Sequence, residues 1–337
     1  MTSAISAIRR SALGFVLVLV LFGALPLVIS SYQMSIANEI LIFALLAMSI
    51  DVLAGYAGRT SLGHGALFGA STYVVIYWTS VYGGSAWVGC LLGVIAATLI
   101  ATVFAAFAVR VSGVYFLLLT LALGMIVWGV CLRWTSVTGG ENGIRGVGRP
   151  DLIASPTVFY YATLAVVLLM TFLMWRFVRS PFGLTLRGIR DSESRMRSLG
   201  YGTSVHMFVA FIVTGFFAGV AGALYALFNN FVSPSTVQLS QSVEGLLMAI
   251  IGGVGTLFGS FIGAAAIILL ENVVSAYTAR WQMVLGFTFI GTMIFAPEGI
   301  LGALRWLISR KRWRRSSNIV TNDSNTKGGT KWIADNF

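Results

Sequence analysis

Long apolar runs without charge dominate this sequence and constrain what it can fold into. Ser85 to Val109 contains no charged residue, and neither does Gly245 to Leu270. A helix of about 20 apolar residues crosses the hydrocarbon core of a bilayer, because its backbone polar groups are paired within the segment. Of the 337 residues, 57% are hydrophobic and 10% are charged, which excludes a soluble globular domain. The sequence therefore predicts an all-α, polytopic integral membrane protein.

The hydropathy pattern divides the chain into about ten membrane segments. The run from Gly245 to Leu270 is too long for one untilted helix, so we predict that it and its flanks form two elements with a break near Gly252. The stretch 229–244 before it is predicted to be a loop. The other predicted spans are 12–30, 37–53, a glycine-rich span that ends near Tyr82, 85–109, 114–132, 157–178, 207–228 and 281–304.

The basic residues between the spans predict the orientation of the chain. Lys and Arg accumulate on the cytoplasmic side of membrane proteins. Counting from a cytoplasmic N-terminus places Arg59, Arg110 and the Arg-rich loop 179–206 inside after two, four and six crossings. A basic cluster at 305–315 must also lie inside, which requires an even number of crossings. We therefore predict a transmembrane domain over 1–316 with both termini in the cytoplasm, and a disordered cytoplasmic tail over 317–337.

The loop 179–206, called the docking loop below, is the one long polar interruption of the apolar pattern. It carries five arginines against two acidic residues. Ser180 to Gly183 predicts a turn, because Pro cannot follow in a helix interior and Gly supplies unusual backbone angles. Leu186, Ile189 and Leu199 then interleave with arginines, which predicts a short amphipathic helix. Such a loop is either a solvated connector or a docking helix for a cytosolic partner.

Three stretches carry recognisable motifs, namely SPFGLTLRGIRDSESRMRSLGY at 180–201, GYAGRTSLGHGALFGASTYVV at 55–75 and IIGGVGTLFGSFIGAA at 250–265. They resemble the branched-chain amino acid ABC importer permeases of the LivM type. In that family a serine-proline-phenylalanine-glycine turn precedes a basic segment that ends in leucine-glycine. The residues of the docking loop that fit this pattern are Ser180, Pro181, Phe182, Gly183, Arg187, Arg190, Asp191, Glu193, Leu199 and Gly200.

The resemblance implies a permease subunit of an ATP-binding cassette importer that forms the pathway for branched-chain amino acids across the cell inner membrane. The implied partners are a homologous second permease, two ATPase subunits, an extracytoplasmic substrate-binding protein and membrane lipid, with no nucleic acid. We expect no enzyme activity and no bound cofactor in this chain, because it lacks the G-x-x-x-x-G-K-[ST] loop that cradles phosphates. ATP is expected on the partner subunits.

Two sets of candidate site residues follow. The resemblance implies that the docking loop seats in a groove of the ATPase, with contacts from Ser180, Pro181, Phe182, Gly183, Leu186, Arg187, Ile189, Arg190, Leu199 and Gly200. Glycines permit broken or closely packed membrane helices, and an intramembrane acid marks a pathway or an internal partner. The candidate pathway residues are accordingly Asp51, Gly55, Gly58, His64, Gly252 and Gly255.

Purely structural interpretations of these residues also remain open. Asp51 lies close enough to the predicted inner surface to be solvated, and His64 is a candidate for helix packing. Glu39, Glu244 and Glu271 lie at predicted span ends and are taken as interfacial. Cys90 and Cys131 fall in apolar runs without metal-ligand spacing, so no metal site is expected.

Two other functions remain open at this point. An acidic residue at position 51 is similar to the related urea permeases, so the solute is alternatively urea, a short amide or another small polar molecule. A secondary transporter would bind its coupling ion at broken helices and need no partner. The scarcity of membrane-embedded acids and the resemblance of the docking loop argue against that class.

Overall fold

The computed structural model describes residues 30–146, 148–278, 280–295 and 299–300, which form a bundle of helices. The helices are α1 Ser31–Asp51, α2 His64–Val81, α3 Ala86–Ala108, α4 Val114–Arg133, α5 Thr135–Thr138, α6 Pro156–Arg179, α7 Pro181–Asp191, α8 Glu193–Ser198, α9 Thr203–Asn229, α10 Leu239–Gly252, α11 Gly259–Ser275 and α12 Trp281–Phe295. A π turn, Val52–Tyr56, continues α1. The tail over 317–337, the basic cluster over 305–315 and almost all of the predicted first span lie outside the described residues.

Five of the described helices are long and apolar enough to cross a membrane, namely α1 with its π turn, α3, α4, α6 and α9. Shorter apolar helices accompany them in α10, α11 and the 283–292 part of α12. The chain is therefore a multi-pass membrane protein. The all-α prediction needs one small correction, since β1 Ile144–Arg145 pairs antiparallel with β2 Phe231–Val232.

The helix α1 lies at the centre of the bundle, and α3 and α4 lie at its edge. In the most apolar window of each helix, 83% of residues are buried in α1 and only 22% in α4. A helix that is apolar all round is either buried in protein or exposed to lipid. We therefore assign α1 to the protein core and the outer face of α4 to lipid.

Small residues let α9 approach its neighbours closely. Gly215 and Gly219 of α9 lie against Ala101 and Ala97 of α3, where a side chain on either glycine would collide. Small residues spaced four apart in this way let two membrane helices pack closely. On another face of α9, the hydroxyl of Ser71 in α2 donates to the Gly219 carbonyl over 2.7 Å. This contact joins α2 to α9 through a buried polar group.

The chain breaks where the sequence predicted it. The helix α10 ends at Gly252, Gly253 and Gly255 have φ angles of 114° and 78°, and α11 begins at Gly259. The predicted loop 229–244 is wrong in part, because α10 already begins at Leu239. The residues before α10 pack on α2 where Gly69 has no side chain to exclude Val237. The chain therefore re-enters the bundle as a strand and a turn before it becomes helical.

Candidate functional site

The docking loop begins with a helix N-terminus rather than with the separate turn that the sequence predicted. Ser180 is the N-cap of α7, and its hydroxyl oxygen accepts the backbone N–H of Gly183 over 3.3 Å. Pro181 occupies the first helical position, where its missing N–H is harmless and its fixed φ suits the helix. The chain still reverses between α6 and α7, but these residues do so as a cap and first turn.

The apolar face of α7 is turned towards the permease itself. Leu186 is fully buried and Ile189 is 4% exposed, and both belong to the main hydrophobic core. The predicted single amphipathic helix is wrong, because Ser192 ends α7 and caps a second helix, α8. Leu199 lies beyond α8 and is 67% exposed. Leu186 and Ile189 therefore anchor α7 and are not free to contact a partner, whereas Leu199 is.

The outward surface of the docking loop includes an apolar residue that sequence reasoning missed. Leu184 of α7 is 60% exposed, on the side away from Leu186. Phe182 is half-buried and its ring stacks on His206 at a centroid distance of 5.0 Å. Gly200 has a φ of 86° with open space around it, so that position favours glycine for its backbone and not for packing. Exposed apolar groups near a basic helix are what a protein partner would contact.

Two arginines of α7 join the docking loop to the π turn of α1. The Nη1 of Arg190 donates to the Gly55 carbonyl over 2.6 Å, and its Cγ lies where a Cβ on Gly58 would be 2.5 Å away. The guanidinium of Arg187 lies over the Tyr56 ring at 4.9 Å. A π turn leaves carbonyl groups outside the regular helical ladder, so Gly55 has an acceptor to offer. Both arginines therefore fix α7 to the π turn of α1.

The same π turn contacts the break between α10 and α11. Asp51 is fully buried, and its Oδ1 accepts the Gly255 N–H over 2.7 Å. A Cβ on Gly55 would meet the Gly255 backbone, so both positions require glycine. Asp51, Gly55, Gly58 and Gly255 thus meet in one place, which we call the glycine junction, and Gly252 ends the neighbouring helix. Whether these residues line the pathway stays a prediction.

His64 does not belong to the glycine junction. It is fully buried at the start of α2, where its Nδ1 lies 3.1 Å from the Ser61 hydroxyl and its ring lies 5.5 Å from that of Phe211. The packing interpretation of this histidine therefore fits the structure.

Arg59 makes contacts that the sequence analysis did not predict. There it served only to orient the chain in the membrane. Its side chain is 7% exposed, and it donates to the Val111 carbonyl over 2.6 Å and to Glu193 Oε2 over 2.8 Å. Arg197 donates to the other carboxylate oxygen of Glu193 over 2.7 Å. Burial raises the pKa of Glu193, but the two arginines outweigh it and leave the pKa below its ordinary value. Arg59 thereby joins three loops.

Three acids taken as interfacial come together where α1, α10 and α11 pack on one another. The side chains of Glu39, Glu244 and Glu271 lie near one another and near Tyr225 of α9. Among the described residues no ion pair joins them to a basic group. They are not arranged as a metal site, since no group of His, Cys, Asp or Glu in the described ranges fits one.

The opposite end of the bundle is closed by a short backbone ladder and by one arginine side chain. Here β1 pairs with β2, and Arg149 donates to the carbonyls of Leu227 and Phe228 over 3.1 and 3.2 Å. Its guanidinium also lies over the Phe159 ring at 4.1 Å. Desolvation by burial lowers the pKa of Arg149. The short helix α5 ends at Thr138, and left-handed glycines follow it.

A central buried span ends in a π turn that contacts both a glycine break and a basic loop. The chain belongs to the family of branched-chain amino acid transport system permease components, whose sequence profile matches residues 32–294. It is thus a permease subunit of an ABC importer, as the resemblance implied. The members named below are transport permease subunits and not enzymes.

Particular relatives sharpen this assignment. The chain is 28% identical over 326 residues to the high-affinity branched-chain amino acid transport system permease protein LivM of Escherichia coli K12, covering 88% of this chain and 76% of that protein. It is 25% identical over 286 residues to the permease protein LivH of Salmonella typhimurium, covering 77% and 91%. The autoinducer 2 import system permease LsrC of Salmonella paratyphi B is 24% identical over 199 residues, covering 56% and 55%.

Proposed function

We propose that this chain is one of two homologous permease subunits that form the pathway of an ATP-driven importer for branched-chain amino acids. The similarity to LivM extends over 88% of the chain, and similarity to LivH indicates that two kinds of permease share this fold. Two ATPase subunits, which carry the ATP, dock on the α7–α8 side. A substrate-binding protein delivers the amino acid on the opposite side. Asp51 gives no separate support to urea, because its Oδ1 is engaged by Gly255.

The observation that carries the proposal is the continuous set of contacts from the docking loop to the glycine junction. Closure of the ATPases moves α7, which is anchored through Leu186 and Ile189. Arg190 passes this motion to the Gly55 carbonyl, and the Asp51 carboxylate passes it to Gly255. The break between α10 and α11 then shifts against α1. An importer needs such a linkage because hydrolysis and passage of solute occur in different subunits.

The protein lies in the cell inner membrane. Its proposed topology has ten membrane segments, with both termini in the cytoplasm. Arg59 with Val111, Arg190 with Gly55, and Asp51 with Gly255 are contacts that gather one set of loops at one end. Ser80 with Arg145, and Arg149 with Leu227, gather the alternate loops at the other end. This alternation, the return of 230–252 and the span that the sequence predicts over 12–30 support the number.

Reconstitution tests the proposal. The full chain is placed in proteoliposomes with the candidate second permease, ATPases and binding protein from the same cell, and uptake of radiolabelled leucine, isoleucine and valine is compared with that of urea. We expect uptake of the three amino acids only with ATP inside. Uptake of urea without uptake of the three amino acids would show that the proposed substrate is wrong. Uptake driven by an ion gradient without ATPases would instead identify a secondary transporter.

A further inference from the structure

An open cavity of about 300 Å³ lies between the turn that joins α3 to α4 and the helix α8. Three guanidinium groups and one carboxylate line it, together with two serines. These residues are Arg59, Arg110, Ser112, Glu193, Ser194 and Arg197. Because the positive groups outnumber the negative one, the cavity favours an anion. It is separate from the glycine junction, whose contacts run through Arg190.

Arg110 is the uncompensated charge in this cavity. Arg59 and Arg197 share the Glu193 carboxylate, at 2.8 and 2.7 Å. The Arg110 side chain is exposed and makes no ion pair or hydrogen bond within the described ranges. The hydroxyls of Ser112 and Ser194 likewise have no hydrogen-bond partner there. A guanidinium with two nearby hydroxyls suits phosphate oxygens, which accept charge-assisted hydrogen bonds in several directions.

The surroundings of the cavity indicate where that phosphate comes from. The cavity lies at the end of α3 and α4, the two spans with the smallest buried share. Phe107, Val114 and Tyr115 flank the turn and are 53%, 70% and 75% exposed. An exposed tyrosine at a helix end is typical of the membrane–water interface. A charged cavity thus adjoins an apolar surface suited to acyl chains.

We propose that this cavity binds the phosphate headgroup of an anionic phospholipid from the leaflet on the docking-loop side. Basic pockets beside membrane helices bind such headgroups through their phosphate. The lipid phosphate contacts Arg110 and Ser112 on the α3–α4 turn and Ser194 on α8. Its acyl chains lie on the exposed faces of α3 and α4. A bound lipid thereby connects the membrane to α8 and fixes the position of the docking loop.

Lipid binding to the purified full chain tests this proposal. Protein in mild detergent is delipidated and titrated with phosphatidylglycerol or phosphatidylcholine, and bound lipid is counted by native mass spectrometry. We expect the wild type to bind phosphatidylglycerol in preference to phosphatidylcholine. Arg110→Gln should weaken phosphatidylglycerol binding about tenfold, the effect of losing one charge-assisted contact. Ser194→Ala should weaken it less. Elution volume on gel filtration checks that each variant is folded.

The matched control is Arg176→Gln, at an exposed arginine near the end of α6 on the same side but outside the cavity. We expect this control to bind phosphatidylglycerol as the wild type does. Equal weakening by both substitutions would overturn the proposal, because a general surface charge would then explain it. Equal competition by inorganic phosphate would overturn it in favour of a free anion. Unchanged lipid binding by Arg110→Gln with lost ATPase co-purification would reassign the cavity to an acidic side chain of the ATPase.

Discussion

The two ends of the helical bundle are closed by different kinds of contact. At the end opposite the docking loop, the backbone of β1 pairs with β2, and Arg149 binds two further carbonyls nearby. At the docking-loop end, single side chains reach across glycine turns, with Arg190 on Gly55 and Asp51 on Gly255. Backbone pairing holds two segments in one register, whereas a side-chain contact yields when a helix moves. The difference supports the proposal that motion enters at the docking-loop end.

The largest effect is expected from filling the glycine junction. Gly55→Val would place a side chain against the Gly255 backbone and the Asp51 carboxylate, which lies 2.7 Å from an added Cβ. Overpacking of this kind costs roughly 1–3 kcal/mol, so we expect leucine uptake to fall about tenfold or more. Gly129→Val is the control, because an added Cβ there meets nothing within 4 Å. Equal uptake by both variants would show that the junction does not transmit motion.

The next largest effect concerns the outward surface of α7 and α8. We expect the pair Leu184→Glu and Leu199→Glu to insert normally but to lose both ATPase co-purification and uptake, since each removes an exposed apolar contact. Leu152→Glu, at a 77% exposed leucine of the opposite end, should change neither. Arg195→Ala should also be tolerated, because exposed charges contribute roughly 0–1 kcal/mol. Full ATPase binding by the double variant would make the loop a solvated connector.

A direct comparison of the two ends uses one arginine from each. Arg59→Met leaves the Val111 carbonyl unpaired and frees α8, and Arg149→Met removes two carbonyl contacts at the other end. Each should lower the free energy of unfolding by roughly 1–3 kcal/mol. Only Arg59→Met should also reduce the uptake obtained per folded molecule. Thermal unfolding in detergent and uptake at matched protein amounts measure the two effects. An equal loss of uptake in both variants would show that the two ends of the bundle do not differ in transmitting motion.

The smallest expected effect is a dependence of the free energy of unfolding on pH. Because its folded pKa is lowered, Glu193 stabilises the protein above its ordinary pKa of 4.5, and this stabilisation is lost as the pH falls through the folded value. We expect roughly 0–1 kcal/mol, since the side chain is 27% exposed. Unfolding below about pH 4.5 should therefore depend less on pH in Glu193→Gln.

The sequence predicts the features that depend on local rules. Glycines that end helices predicted the break near Gly252, where α10 does end. The periodicity of the sequence also predicts an apolar face on α7. It does not show whether that face packs on the permease itself or on the ATPase, so the sequence analysis assigned Leu186 and Ile189 to the ATPase contact. The role of Arg59 depends on Glu193, 134 positions away. Such a pairing has no signal in a single sequence.

The shortness of α10 and α11 has a consequence for how the chain enters the membrane during synthesis. They contain 14 and 17 residues, fewer than the about 20 that a helix needs to cross alone. Gly252 and Gly259 bring their ends into backbone contact, and Gly263 lies against the Met248 carbonyl. We therefore expect the two helices to leave the translocation machinery together as a hairpin. A substitution that separates them would then act on biogenesis before it acts on transport.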